Sequence, residues 1–224
     1  MISLNDLWPP TYLSLRIALA ATAITTLLAV PLAFILARRR FAGQTILEAA
    51  LTLPLVLPPT VVGFVLILCF GRRGWIGHWL DRWFDYTLVF RFEGAVLAAA
   101  VVAFPLLYLP AKAAFAAVER DFEDTARLSG ASGLQVFWHV SLPMARRGIV
   151  SGLTLCFARA LGEFGATIMV FGWQSGRITL PISIYTDYVN DDFAHATAAV
   201  LTLSAISVAT IAFYNRWSAG HLAK

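Results

Sequence analysis

IALAATAITTLLAVPLAFILA, residues 17–37, carries no charge between Arg16 and Arg38. A helix rises about 1.5 Å per residue, so this run spans about 30 Å, the thickness of a bilayer's hydrocarbon core. The surrounding composition agrees: of 224 residues 59% are hydrophobic and 13% charged, and the mean hydropathy is +0.73. A soluble globular domain carries about half apolar and about a quarter charged residues, and is excluded here. The net charge of +4 is too small and too dispersed for a nucleic-acid partner.

Working outward from the first run, four more stretches qualify as spans: residues 49–71, 94–111, 148–171 and 193–215. The fourth is unusual, because it holds Arg159 and Glu163. Lipid offers no partner to a backbone N–H or C=O, and no strand-like alternation is present, so each span is predicted to be helical. The expected fold is an all-α polytopic membrane protein with five transmembrane helices in a single domain over residues 1–224. Cys69 and Cys156 both lie in apolar runs, which leaves neither a disulfide framework nor a thiolate metal site.

Lys and Arg set the orientation. With the amino terminus outside, the inner segments hold Arg38, Arg39, Arg40, Lys112, Arg120, Arg127, Arg146, Arg147, Arg216 and Lys224, against Arg16, Arg72, Arg73, Arg82, Arg91 and Arg177 outside. The expected topology is amino terminus out, carboxyl terminus cytoplasmic. A cleaved signal peptide is the competing reading, but Met1 to Trp8 has no basic region. Residues 72–93 mix Trp75, Trp79, Trp83, Phe84 and Tyr86 with charges and read as an interfacial amphipathic helix.

Residues 119–147, on the cytoplasmic side, read as two short helices. Asp121 is expected to cap the first, with Glu123 and Asp124 in its opening turn and Val118, Phe122 and Ala126 on one face. Gly130 is a natural stop, Ser132 with Gln135 forms a capping box, and Pro143 ends the second helix or opens the next span. A compact knob results. On capping alone, an ordinary loop against headgroups explains it equally.

Asp124-Thr125-Ala126, three residues, Gly130, nine residues and Val140-Ser141-Leu142-Pro143 resemble the E-A-A, x3, G, x9, I-x-L-P loop of ABC-importer permeases. Asp124, Thr125 and Val140 depart from that pattern and leave its register intact. The resemblance implies the type I ABC-importer permease fold, with this segment as a coupling helix seated in a groove of a separate ATPase subunit. Glu123, Asp124, Thr125, Ala126, Gly130, Leu142 and Pro143 are its expected coupling residues. Residues 53–63 (LPLVLPPTVVG), 71–77 (GRRGWIG) and 157–167 (FARALGEFGAT) are similar to ModB-type molybdate permeases over nearly the whole chain. Sulfate, tungstate and thiosulfate permeases share the first and last of these motifs.

The resemblance further implies a bacterial or archaeal cell membrane, the inner one in a Gram-negative cell, a homodimer, two copies of the ATPase subunit, and an extracytoplasmic oxyanion-binding protein. It implies no cofactor in this chain, ATP and Mg being bound by the ATPase, and no metal site. Arg72, Arg73 and Arg177 resemble docking positives for the binding protein; solvated or headgroup-bound arginines are the equal alternative.

Two features inside the spans bear on transport. An ionised Arg159 near mid-span costs about 2.5–3.5 kcal/mol on insertion scales, and Glu163, four residues on, is placed to pair with it. The pair either lines or gates a pathway or clamps helices. Pro54, Pro58 and Pro59 interrupt the second span, so Pro58, Pro59, Thr60 and Gly63 are expected to line the pathway, although helix packing alone would also use them. Thr202, Ser204 and Ser207 are weaker, since such hydroxyls often bond their own helix. No Ser/His/Asp set, His-rich cluster or phosphate-cradling glycine loop points to an enzyme. An ion-driven secondary transporter with Glu163 as proton carrier would usually carry an internal repeat, and none is found. An intramembrane enzyme using Glu163 and His195 lacks a nucleophile.

Overall fold

The computed structural model describes residues 4–173 and 178–222, and these are all-α. The helices are α1 (Leu4–Arg38), α2 (Gln44–Val56), α3 (Pro59–Phe70), α4 (Trp75–Phe84), α5 (Phe92–Ala116), α6 (Arg120–Leu128), α7 (Gly133–Val136), α8 (Leu142–Leu161), α9 (Gly165–Phe171), α10 (Leu180–Val189) and α11 (Phe193–Leu222). A π turn, Phe137–Ser141, joins α7 to α8. Three helices are long and apolar enough to cross a bilayer, within α1, α5 and α11. Two bent pairs, α3 with α4 at 45° and α7–α8 with α9 at 56°, bring the possible spans to five.

α5 is the centre of the molecule, with α1 and α8 packed against it. Its inward face is small: Ala95, Ala98, Ala99, Ala103 and Ala111 are fully buried. Ala18, Ala21, Ala29 and Ala33 of α1 are equally buried, and Thr25 donates across the seam to the Ala100 carbonyl at 3.4 Å. Lipid tails are as apolar as leucine side chains, so helices in a membrane associate by close packing, which small residues permit. α8 uses glycine for the same purpose: a Cβ at Gly152 would lie 3.1 Å from the Leu107 Cα.

Two expected spans are broken. Residues 49–71 form α2 and α3, separated at Leu57–Pro58, because two successive prolines supply no N–H and force the preceding residues extended, Leu57 at ψ 141° and Pro58 at ψ 135°. Residues 148–171 end their first helix at Leu161 and restart at Gly165. The first apolar run begins its helix earlier than expected, at Leu4, and includes Pro9 and Pro10. The segment between the fourth and fifth runs contains a helix that was not foreseen, α10, whose Leu180 N–H is received by the buried Ser14 hydroxyl at 2.7 Å.

Candidate functional site

The two breaks meet. A Cβ at Gly165 would lie 3.0 Å from the Pro59 Cβ and 3.2 Å from the Thr60 nitrogen, and one at Gly63 would lie 2.9 Å from both the Cα and carbonyl oxygen of Ala166. α3 and α9 therefore run side by side in the same direction from the same level, with their first turns in contact. Pro58, Pro59, Thr60 and Gly63 are thus brought to the Glu163 break. Pro58 and Thr60 are exposed there, while Gly63 is buried.

Arg159 and Glu163 pair as expected, Nη1 to Oε2 at 2.6 Å, but not along one helix. Glu163 lies past the end of α8, and its Oε1 accepts the Ala166 N–H at 2.7 Å, satisfying one of the free donors at the start of α9. The contact to Arg159 is close without hydrogen-bond alignment. The pair is asymmetric: the Glu163 side chain is 1% exposed and that of Arg159 31%. Thr202 and Ser207 donate to Ala198 and Leu203 of their own helix, so their hydroxyl hydrogens are used within α11.

At the Arg38 end of the molecule α6, α7 and the π turn form the expected knob. Gly130 sits at φ +90°, and the Gly130 and Ala131 N–H groups return to the Arg127 and Ala126 carbonyls at 2.9 and 3.0 Å, the glycine-terminated ending in which a left-handed residue closes a helix. The Ser132–Gln135 capping box forms in both directions. Nothing lies within 4 Å of a Cβ built on Gly130, so Gly130→Ala tests backbone strain alone. It should destabilise the permease by about 1–2 kcal/mol, read as a lower unfolding temperature in detergent, whereas Gly133→Ala, which has equal space and no positive φ, should be near neutral.

Two details differ from expectation. Asp121 does not cap α6; the helix starts two residues sooner, with Glu119 at the cap and Asp121 inside the first turn. Of the residues read as sharing a face, Val118 is buried but Phe122 is half-exposed, and Glu123, read only as an acidic residue of the opening turn, is buried. The reason is electrostatic satisfaction: Glu123 Oε1 accepts from Arg38 Nε and Nη2 at 2.9 and 2.7 Å and from the Ser141 hydroxyl at 2.8 Å, and a buried charge is tolerated when so paired. The pattern reading used Arg38 only to orient the chain and Ser141 only as a motif position, and gave neither a partner. The exposed surface of the knob carries Asp124, Thr125, Leu128, Gly130, Leu134 and Trp138, with Ala126 and Leu142 partly covered and Pro143 exposed. Leu128, at 90% exposure, is a large apolar side chain with nothing over it.

At the opposite end, a helix forms over only part of residues 72–93, as α4 from Trp75 to Phe84, with Trp75, Trp79 and Trp83 exposed along one stripe. Gly74 and Gly77 let it lie on the end of α3, since a Cβ at either would collide with backbone carbonyls of residues 68–71. Arg72 reaches Thr87 at 3.1 Å and stays largely exposed; Arg73 is exposed beside it. Arg91 lies 4.6 Å over the Tyr86 ring, whose phenol is pushed above its ordinary value by burial and by the Glu93 carboxylate. Arg177 lies outside the described residues. No group of His, Cys, Asp and Glu able to hold a metal ion occurs among the described residues.

The family model described as binding-protein-dependent transport system inner membrane component matches residues 29–218. The molybdenum transport system permease protein ModB of Escherichia coli K12 is 40% identical over 212 residues, covering 94% of this chain and 92% of that one. The sulfate transport system permease protein CysW of Synechocystis is 34% identical, covering 87% of this chain and 73% of that one. Among solved structures, a chain of the MetNI methionine ABC transporter in inward-facing conformations superposes with a TM-score of 0.72, covering 98% of this chain and 99% of that one; at 16% identity it establishes the fold alone.

Proposed function

This chain belongs to the binding-protein-dependent transport system inner membrane components, and on that premise we propose that it carries molybdate through the membrane. It is the permease subunit of an ABC importer and not itself catalytic. The observation that carries the anion assignment is the 40% identity along 94% of the chain to a molybdenum permease. The CysW relative, at 34%, makes sulfate the second reading. Uptake of radiolabelled molybdate into vesicles holding the assembled complex, competed by tungstate and by sulfate, tests it: competition by sulfate at lower concentration than by unlabelled molybdate would reverse the assignment.

In the proposed assembly two copies of the chain enclose the pathway and two ATPase subunits grip the knobs. Asp124, Thr125, Ala126, Gly130, Leu142 and Pro143 belong to the gripped surface, with Leu128 and Leu134 as its apolar contacts. The amino terminus is outside and the knob cytoplasmic. ATP provides the differential free energy that moves the spans between inward-open and outward-open arrangements. Pro58, Pro59, Thr60 and Arg159 line the pathway at the paired breaks, and the buried Gly63 and Glu163 hold those breaks together. An oxyanion is attracted to the Arg159 guanidinium, and the sealed Glu163 keeps that charge from being stranded when no anion is present.

Arg72 and Arg73, with Arg177, are the proposed contacts for an oxyanion-binding protein. Arg72→Glu/Arg73→Glu should raise the concentration of binding protein needed for half-maximal uptake, more at low salt than at high, because rim charges act through screened long-range attraction. An unaltered concentration dependence at low salt would remove these residues from the docking surface.

A further inference from the structure

One carboxylate oxygen joins three elements. Glu123 Oε1 on α6 accepts two N–H groups of Arg38, the last residue of α1, and the hydroxyl of Ser141, the last residue of the π turn. Arg38 also donates to the Val118 carbonyl just beyond α5, at 2.9 Å, and Glu123 Oε2 is approached by Arg127 at 3.4 Å. Both Glu123 and Ser141 are buried, at 2% and 0% exposure. The π turn is part of this arrangement. It widens the helix by one residue, so that the Leu142 N–H returns to the Phe137 carbonyl, and π turns of this kind recur at functional positions.

We propose that Glu123 is the positioning residue that makes the knob, α1 and α8 move as one body, so that displacement of the knob reaches the Glu163 break at the far end of α8. This role rests on the coupling function proposed above. Without the junction, α6 is tied to the rest of the chain by the residues joining it to α5 and to α7 and by its packing on α7 and the π turn, which continue into α8. A displacement would then be absorbed in those joints. With it, a pull on α6 acts directly on Arg38 and Ser141, and α8 runs from Leu142 without interruption to Leu161. The carboxylate suits the task because its charge-assisted bonds are short and directional, two reaching Arg38 of α1 and one reaching Ser141 of the π turn.

The test uses the complete complex with its ATPase subunits, reconstituted in vesicles after size-exclusion selection of assembled material. Molybdate uptake and ATP hydrolysis are measured together for wild type, Glu123→Gln, Arg38→Lys and Ser141→Ala. Glu123→Gln should lower uptake per ATP hydrolysed about fivefold or more, within the usual range of coupling effects, while hydrolysis continues. Ser141→Ala should shift the ratio in the same direction by less. A purely structural clamp would reduce the amount of assembled complex and leave the ratio at its wild-type value. Unchanged ratios in Ser141→Ala and Arg38→Lys overturn the proposal even if Glu123→Gln does not assemble. Absence of ATP-driven molybdate uptake by wild-type vesicles would instead overturn the transport function, and this role with it.

Discussion

Arg159→Ala should harm the permease more than the double variant Arg159→Ala/Glu163→Ala. The single change leaves a carboxylate that is 1% exposed with no positive partner, and breaking a buried pair from one side typically costs about 3–5 kcal/mol. The double variant strands no charge. It loses the cap on the Ala166 N–H, worth about 1–3 kcal/mol if the donor stays unsatisfied. Glu163→Ala falls between them, because the guanidinium left behind is 31% exposed and has a route to water. Thermal unfolding in detergent orders the three stabilities, and vesicle uptake orders the activities. If Arg159→Ala is as stable as the double variant, the pair is not the mutual neutralisation described here.

Gly63→Ala carries the second large effect. An added methyl carbon would stand 2.8 Å from the Met169 Cβ and 2.9 Å from the backbone of Ala166, where no flexible side chain can yield. α3 and α9 must move apart, and overpacking of this kind costs about 1–3 kcal/mol. The consequence should extend to transport, since the same separation displaces Pro59 and Thr60 from Gly165. Uptake by the assembled Gly63→Ala complex should therefore fall by more than its reduced amount explains. Activity per assembled complex equal to that of wild type would show that the close approach serves packing alone.

Some of the molecule was legible in the chain and some was not, and the division follows the range of the forces involved. The Gly130 stop, the Ser132–Gln135 box and the α4 aromatic stripe were all anticipated from residues within a turn of each other. Each depends on a local backbone or side-chain requirement that its own residues meet. Pro58-Pro59 announced an interruption, but whether it would kink a helix or divide it was open until neighbouring helices were in place to receive the freed backbone groups. Glu163 shows the limit of helical spacing. The i to i+4 pair with Arg159 was correct, yet it formed across a helix end, because capping Ala166 is an option that a periodicity argument does not weigh.

Glu123 shows the same limit from the other side. Helical spacing grouped Phe122 with Val118 and Ala126 and placed Glu123 only as an acidic residue of the opening turn, since no partner for its carboxylate is visible nearby. The partners are Arg38, eighty-five residues earlier, and Ser141, eighteen later, and neither separation has any periodicity to reveal it. Membrane insertion, helical class and the ends of the short helices thus follow from composition and neighbouring residues, because hydrophobic transfer and backbone hydrogen bonding act locally. Which charges could be buried, and which two breaks would face each other, required the packed chain, because a buried charge is affordable only beside partners that folding brings from distant positions.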